Sequence, residues 1–412
     1  MMNRRSYLRS LGTLIGGSTL AQLVNFASYP FIARTYSPEN FGVFALFITL
    51  TAIVGSVSCL RFEMMIPSSD PKEQFSVFIV AQCCNIFVSM AVVAVLAVLS
   101  AVDILSVGSY FLMFVGAVVA LTGLTNAAAI LLLQNDKYAA RTGSLLLRAI
   151  VTIAAQIGLG VFGNKEMGLI EGFCLGFVAQ AIVLMYSLNA LNLNRQITRT
   201  WLTSVIARYG KSVVFDIPST LISALSINAM SVLISLSYSI REVGLYSISF
   251  RIAALPLSLV ANGLSEVYFQ KASASHRGKG SFLWEFNFTL WTAIALSITV
   301  IAAYVLFSKL VVLVLGAKWA ESEGIVLMLL PLLIARLIAV SVQTTALVFR
   351  KTVWLLANNA LILSVMLLSV VLAIMFQVDF KRYLLANSLG CSLVYLLFVG
   401  FLYVKVKSYH RP

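Results

Sequence analysis

A chain of 412 residues that is 60% hydrophobic and 11% charged lacks the charge to cover a soluble surface, and its mean hydropathy is +0.96. Its net charge of +14 would suit nucleic acid, but no loop is long enough to form a binding module, so that class is excluded. The cysteines (Cys59, Cys83, Cys84, Cys174, Cys391) lie in apolar runs and the two histidines, His276 and His410, in polar segments. No ligand spacing joins them, and no metal site or redox dithiol is expected.

A bilayer core takes roughly 20 apolar helical residues to cross. Runs of that kind fall near 8–33, 41–66, 74–99, 106–133, 142–162, 168–190, 213–236, 244–268, 282–307, 324–349, 352–376 and 383–404. They predict an all-α integral membrane protein with twelve transmembrane helices. The first run follows Arg4, Arg5 and Arg9 and ends without a small-residue cleavage site, so it reads as a retained helix. The polar interval 191–212, LNLNRQITRTWLTSVIARYGKS, reads as a cytoplasmic amphipathic connector. It separates a lobe at 1–190 from a lobe at 213–412, six runs in each.

Orientation follows from the basic residues. With both termini in the cytoplasm, Lys and Arg favour the inner loops over the outer ones by about three to one, as positive-inside insertion requires. Arg251 and Arg336 are left inside spans. The basic charge is thus explained by topology, and it also suits the anionic inner leaflet.

The two lobes repeat one another. Residues 35–46, TYSPENFGVFAL, align with 237–248, SYSIREVGLYSI, so that Tyr36 matches Tyr238, Ser37 matches Ser239 and Gly42 matches Gly244. Each stretch joins the first and second run of its lobe on the outer side. A duplicated unit of six helices keeps its orientation, and the two bundles are expected to enclose a central cleft.

These strings also carry a resemblance. LGTLIGGSTLAQLVNFASYPFIARTYSPENFGVFALF with LRFEMMIP at 60–67, and EVGLYSISFRIAALPLSLVANGLSEVYFQKASASH at 242–276, resemble the polysaccharide transporter family of the multidrug/oligosaccharidyl-lipid/polysaccharide (MOP) exporter superfamily. The resemblance implies a MATE-like fold and an O-antigen, capsule or exopolysaccharide flippase of the bacterial inner membrane. It would move an undecaprenyl-diphosphate-linked oligosaccharide to the periplasmic face by alternating access, with membrane lipid, a glycan polymerase and chain-length proteins as partners. It implies no cofactor beyond a coupling proton or sodium ion.

An ionisable group at the bilayer centre costs at least about 2.5–3.5 kcal/mol and normally faces a cavity or a partner. Guanidinium matches the oxygens of a diphosphate well. Arg251, Arg336 and Arg148 are therefore cleft candidates, although snorkelling also accounts for Arg148 and an ion pair for Arg336. Arg34 ends the first run as either a gate residue or an interfacial anchor. Gln22 and Asn25 share a helix face, and with Asn228 they either line the cleft or bond neighbouring helices.

The carboxylates Glu63, Asp216, Glu266 and Glu285 cluster near the expected cytoplasmic ends. With Arg61 they form either a gate, a coupling site or simply solvated helix ends. Asp216 precedes Pro218, where the sequence allows a broken or kinked helix. Relatives of this architecture carry an acidic residue midway along the seventh helix, whereas 226–233 here reads SINAMSVL. Cation coupling is weakened by that departure.

Two other readings remain. A multidrug/cation antiporter shares the architecture but would want an acidic lumen. A glycan polymerase or ligase would want a large charged outer loop, and the longest one expected, 308–323, is short and apolar. Neither fits as well as a transporter without enzymatic activity.

Overall fold

Backbone amides in hydrocarbon have no water to bond, so each spanning segment must satisfy its own hydrogen bonds as a helix. The computed structural model describes residues 4–102, 108–191, 199–279 and 281–409. Parts of the expected connector (192–198, with Arg195) and of both termini, with His410 and Arg411, lie outside the described residues.

The first group of helices is α1 (Arg4–Thr35), α2 (Pro38–Gly55), α3 (Gln74–Ala101), α4 (Ser109–Gln134), α5 (Tyr138–Val161), α6 (Gly168–Asn189) and α7 (Arg199–Asn228). There follow α8 (Met230–Ser235), α9 (Ile240–Lys279), α10 (Leu283–Leu315), α11 (Glu321–Val342), α12 (Thr345–Val348), α13 (Val353–Met375) and α14 (Phe380–Tyr409). Short 3-10 turns occupy Phe62–Ser68 and Ala317–Trp319. Among the described residues, ten helices are long and apolar enough to cross a membrane. The chain is a multi-pass membrane protein.

Three expectations are corrected in detail. The run 41–66 does not stay helical. It leaves α2 at Gly55, passes through Leu60 and Arg61 with φ of 47° and 65°, and enters the turn that ends beside Pro67. Of the break or kink allowed for at Pro218, the break is absent, because α7 continues through that proline to Asn228. Within the expected outer loop 308–323, α10 continues to Leu315 and α11 begins at Glu321, leaving only a tight turn at Gly316.

The chain forms two compact units, one of residues 1–36 and 46–224, the other of residues 37–45 and 225–412. In the first unit α5 and α6 approach closely because small residues sit at the contact. A Cβ on Gly172 would meet Gln156 at 2.6–2.7 Å, and one on Gly176 would meet the Arg148 carbonyl at 2.9 Å. Without a hydrophobic drive between helices in lipid, such close packing and side-chain hydrogen bonds hold the bundle. Asn85 of α3 donates to the Ala120 carbonyl of α4 at 2.7 Å. Large apolar groups such as Phe87, Met90 and Phe162 point outward, as a lipid-facing surface requires.

In the second unit Pro331 lies inside α11, and the following amide of Leu332 donates to Ser388 Oγ of α14 at 3.2 Å. A neighbouring hydroxyl thus serves the backbone next to the proline, which is how membrane helices tolerate that residue. Asn387 of α14 is buried between Ser369 Oγ at 3.0 Å and Met230 Sδ at 3.4 Å.

Candidate functional site

The repeated strings fold into matching starts for α2 and α9. Ser37 and Asn40 form a capping box, with the Ser37 amide donating to Asn40 Oδ1 at 3.1 Å and the Asn40 amide to Ser37 Oγ at 3.3 Å. Ser239 and Glu242 repeat it, with bonds of 2.7 and 3.4 Å. Such reciprocal bonds satisfy amides that a helix start leaves open. The preceding tyrosines are anchored alike. Tyr36 donates to the Gln156 carbonyl at 2.6 Å, near the C-terminal end of α5, and Tyr238 to the Val378 carbonyl at 2.8 Å, between α13 and α14.

Within the second unit Gly42 and Gly244 then bring the two helix starts together. A Cβ on Gly244 would collide with the Pro38 carbonyl and lie 2.9 Å from the Gly42 amide nitrogen, and a Cβ on Gly42 would collide with the Ile240 carbonyl. Phe41 packs edge-on against the buried Trp319, with ring centroids 5.2 Å apart. Arg241 sits between two carboxylates, Glu321 at 3.0 Å and Glu39 at 3.6 Å. Exposed pairs of this kind contribute little on their own, typically about 0–1 kcal/mol.

Two turns beyond Gly244 along α9, Arg251 donates from Nε to Ser247 Oγ at 3.3 Å, and its guanidinium lies 5.8 Å from the Phe44 ring centre. Arg336 of α11 lies 6.0 Å from the ring of Phe250, the residue before Arg251. Among the described residues no carboxylate pairs with Arg336. Both arginines are thus half-buried guanidinium groups beside aromatic faces, an arrangement that favours a cation within a helix bundle.

In the first unit Arg148 is held differently. Its guanidinium lies 3.6 Å over Phe177 and 5.5 Å from Phe173, and donates to Gln180 Oε1 at 3.3 Å. It is enclosed by the α5–α6 contact. Arg61 pairs with Glu63 at 3.4 Å in the turn after α2. Burial pushes the Glu63 carboxyl above the usual carboxylate range, Arg61 pulls it down, and the Asp216 charge adds to the rise. Glu63 Oε2 is buried with no hydrogen-bond partner.

The remaining candidates are dispersed. Arg34 is exposed in the last turn of α1, Gln22 is exposed, and Asn25 bonds the Ala21 carbonyl of its own helix at 3.0 Å. Asn228 is half-buried at the end of α7. Glu266 is exposed on α9, and Glu285 accepts a hydrogen bond from Ser275. The aromatic partners of Arg148, Arg251 and Arg336 are not among the residues expected from the sequence. Phe173 and Phe177 are four apart, on one face of α6, and Phe250 adjoins Arg251, so a signal was present.

Residues 31–323 match the model of the family described as polysaccharide biosynthesis protein. The chain belongs to that family. Solved structures with the same fold include the lipid II flippase MurJ in an inward closed conformation, with a TM-score of 0.73 and 13% identity over 95% of this chain and 86% of that one. A multidrug resistance MATE family transporter of the MOP superfamily, in an inward-facing conformation, gives 0.65 and 13% over 95% and 98%. A MOP superfamily transporter from Pyrococcus furiosus gives 0.60 and 13% over 98% and 95%. A search of curated proteins finds no match. The resemblance read from the repeated strings is borne out, and the all-α architecture of this polysaccharide biosynthesis protein is that of MOP superfamily transporters.

Proposed function

We propose that this protein flips an undecaprenyl-diphosphate-linked oligosaccharide, an O-antigen, capsule or exopolysaccharide repeat unit, from the cytoplasmic to the periplasmic face of a bacterial inner membrane. The observation that carries the reading is the pair Arg251 and Arg336, cations held inside membrane helices against Phe44 and Phe250. A diphosphate loses its hydration on entering the bilayer, and guanidinium groups replace that hydration with charge-assisted hydrogen bonds. Aromatic faces serve the sugar rings, and the polyprenyl tail stays in lipid. Transfer then needs no covalent chemistry, only alternate exposure of the site to each face.

In this reading the termini are cytoplasmic and twelve helices span the membrane, which the distribution of basic residues supports. The multidrug antiporter shares the fold, but a lumen for organic cations would not be lined with arginine. Any proton or sodium coupling would rest on Glu63 and Asp216. The test is a deletion strain complemented with wild type, Arg251→Ala or Arg336→Ala at matched expression. Wild type should restore surface glycan, and each variant should leave lipid-linked repeat units on the cytoplasmic face. Full surface glycan in the deletion strain would end the proposal.

A further inference from the structure

The second unit contains a cavity of about 520 Å³ at the end where α9 stops, α12 turns into α13 and α14 finishes. It is lined by Phe269, Ser273, His276, Arg277, Arg350 and Tyr409 among others. Counting 26 residues along α9 at 1.5 Å each, Arg277 lies roughly 39 Å from Arg251, more than the thickness of a bilayer core. The cavity is therefore not part of the arginine pair described above. Its volume is in the range of about 300–1,000 Å³ that small-molecule sites occupy.

Three features give it a chemical character. His276 is wedged among Tyr409, Phe282 and Phe349, with centroids 5.2, 5.7 and 6.0 Å away, and its Nδ1 is buried with no hydrogen-bond partner. Among the described residues no carboxylate pairs with Arg277 or Arg350. Glu285 is bonded instead to Ser275. Finally, Arg350 has φ of 55°, a left-handed turn position that favours Gly or Asn. The Lys351 amide donates to the Ala346 carbonyl at 2.7 Å and fixes that turn. A guanidinium is thus kept where the backbone would prefer another residue, and strain of that kind tends to collect at functional sites.

We infer that this cavity binds a phosphate group. Arg277 and Arg350 supply charge-assisted donors, His276 Nδ1 a further bond, and the Tyr409 ring covers the carbon skeleton of the ligand. The phosphate is carried either by an anionic phospholipid headgroup or by a soluble phosphate ester. Lys271, Lys351, Lys405 and Lys407 lie at the same helix ends, and such basic charge would favour an anionic leaflet.

The chain has two histidines, so ¹⁵N-histidine labelling of the full-length protein gives two imidazoles, and His410→Asn assigns them. The labelled protein is placed in phosphatidylcholine nanodiscs and titrated with inorganic pyrophosphate, then compared in nanodiscs containing phosphatidylglycerol. A saturable shift of the His276 nitrogens is expected. A shift with pyrophosphate assigns a soluble ester, and a shift with phosphatidylglycerol alone assigns a headgroup. In Arg277→Gln/Arg350→Gly the apparent affinity should fall about tenfold or more at an unchanged thermal midpoint. Glycine suits the left-handed turn, so this variant is expected to fold. No His276 shift with either ligand, or an unaltered affinity in the folded double variant, would overturn the inference.

Discussion

Gly42 and Gly244, equivalent positions of the internal repeat, face one another so closely that a Cβ on Gly244 would lie 2.9 Å from the Gly42 amide nitrogen and collide with the Pro38 carbonyl. The obstacle is backbone, which cannot swing aside as a side chain does. Gly244→Ala is therefore expected to destabilise the protein by about 1–3 kcal/mol, in the range of overpacked sites. Gly263→Ala on the same helix meets nothing within 4 Å and should be neutral or slightly stabilising. Thermal midpoints of the two variants in detergent check the contrast.

Arg148 is enclosed by Phe177, Phe173 and Gln180 at the α5–α6 contact. Arg148→Met should keep the contact's volume and retain transport. Phe177→Ala opens a cavity and also removes the cation's platform, and should cost about 3–5 kcal/mol. Surface glycan and thermal midpoint, measured on both, separate the two effects.

Glu63 gives a pH dependence. Its folded pKa is raised, first by burial, so the folded state holds the proton more tightly than the unfolded chain does. The associated stability is complete below the unfolded carboxylate pKa and is lost as pH rises through the folded value. Glu63→Gln should match wild type in acid and exceed it in thermal midpoint at neutral pH. Equal midpoints at both pH values would contradict the assignment.

Arginine and lysine differ at a diphosphate, because only the planar fork bonds two oxygens at once. Arg251→Lys should therefore reduce transport well below wild type while leaving the thermal midpoint in place. A tenfold loss would correspond to about 1.4 kcal/mol of binding or transition-state free energy. Initial rates of lipid-linked oligosaccharide transfer measure it.

The helices were legible because lipid imposes long apolar runs, and the repeat was legible where Tyr36, Ser37 and Gly42 recur at Tyr238, Ser239 and Gly244. The structure extends that repeat beyond what alignment shows. Asp136 and Arg350 both take left-handed conformations at the turn before the fifth long helix of their half, and Gly163 and Gln377 at the turn after it. Each of these pairs is 214 residues apart, against 202 for the tyrosines, so a constant offset misses them. The turn after Gly55 was hidden for a different reason. Val57, Cys59, Leu60 and Phe62 are as apolar as a span, and hydropathy does not register backbone direction. The aromatic faces under Arg148, Arg251 and Arg336 escaped notice because phenylalanine in a membrane run has no pattern of its own.

The most direct measurement of the account is transfer of a polyprenyl-diphosphate-linked oligosaccharide by the purified protein in proteoliposomes, read by the accessibility of its glycan to an added lectin. Transfer is expected to depend on the wild-type protein and to fail with Arg251→Ala/Arg336→Ala at equal reconstitution. Equal transfer by that double variant, or none by the wild type, would contradict it.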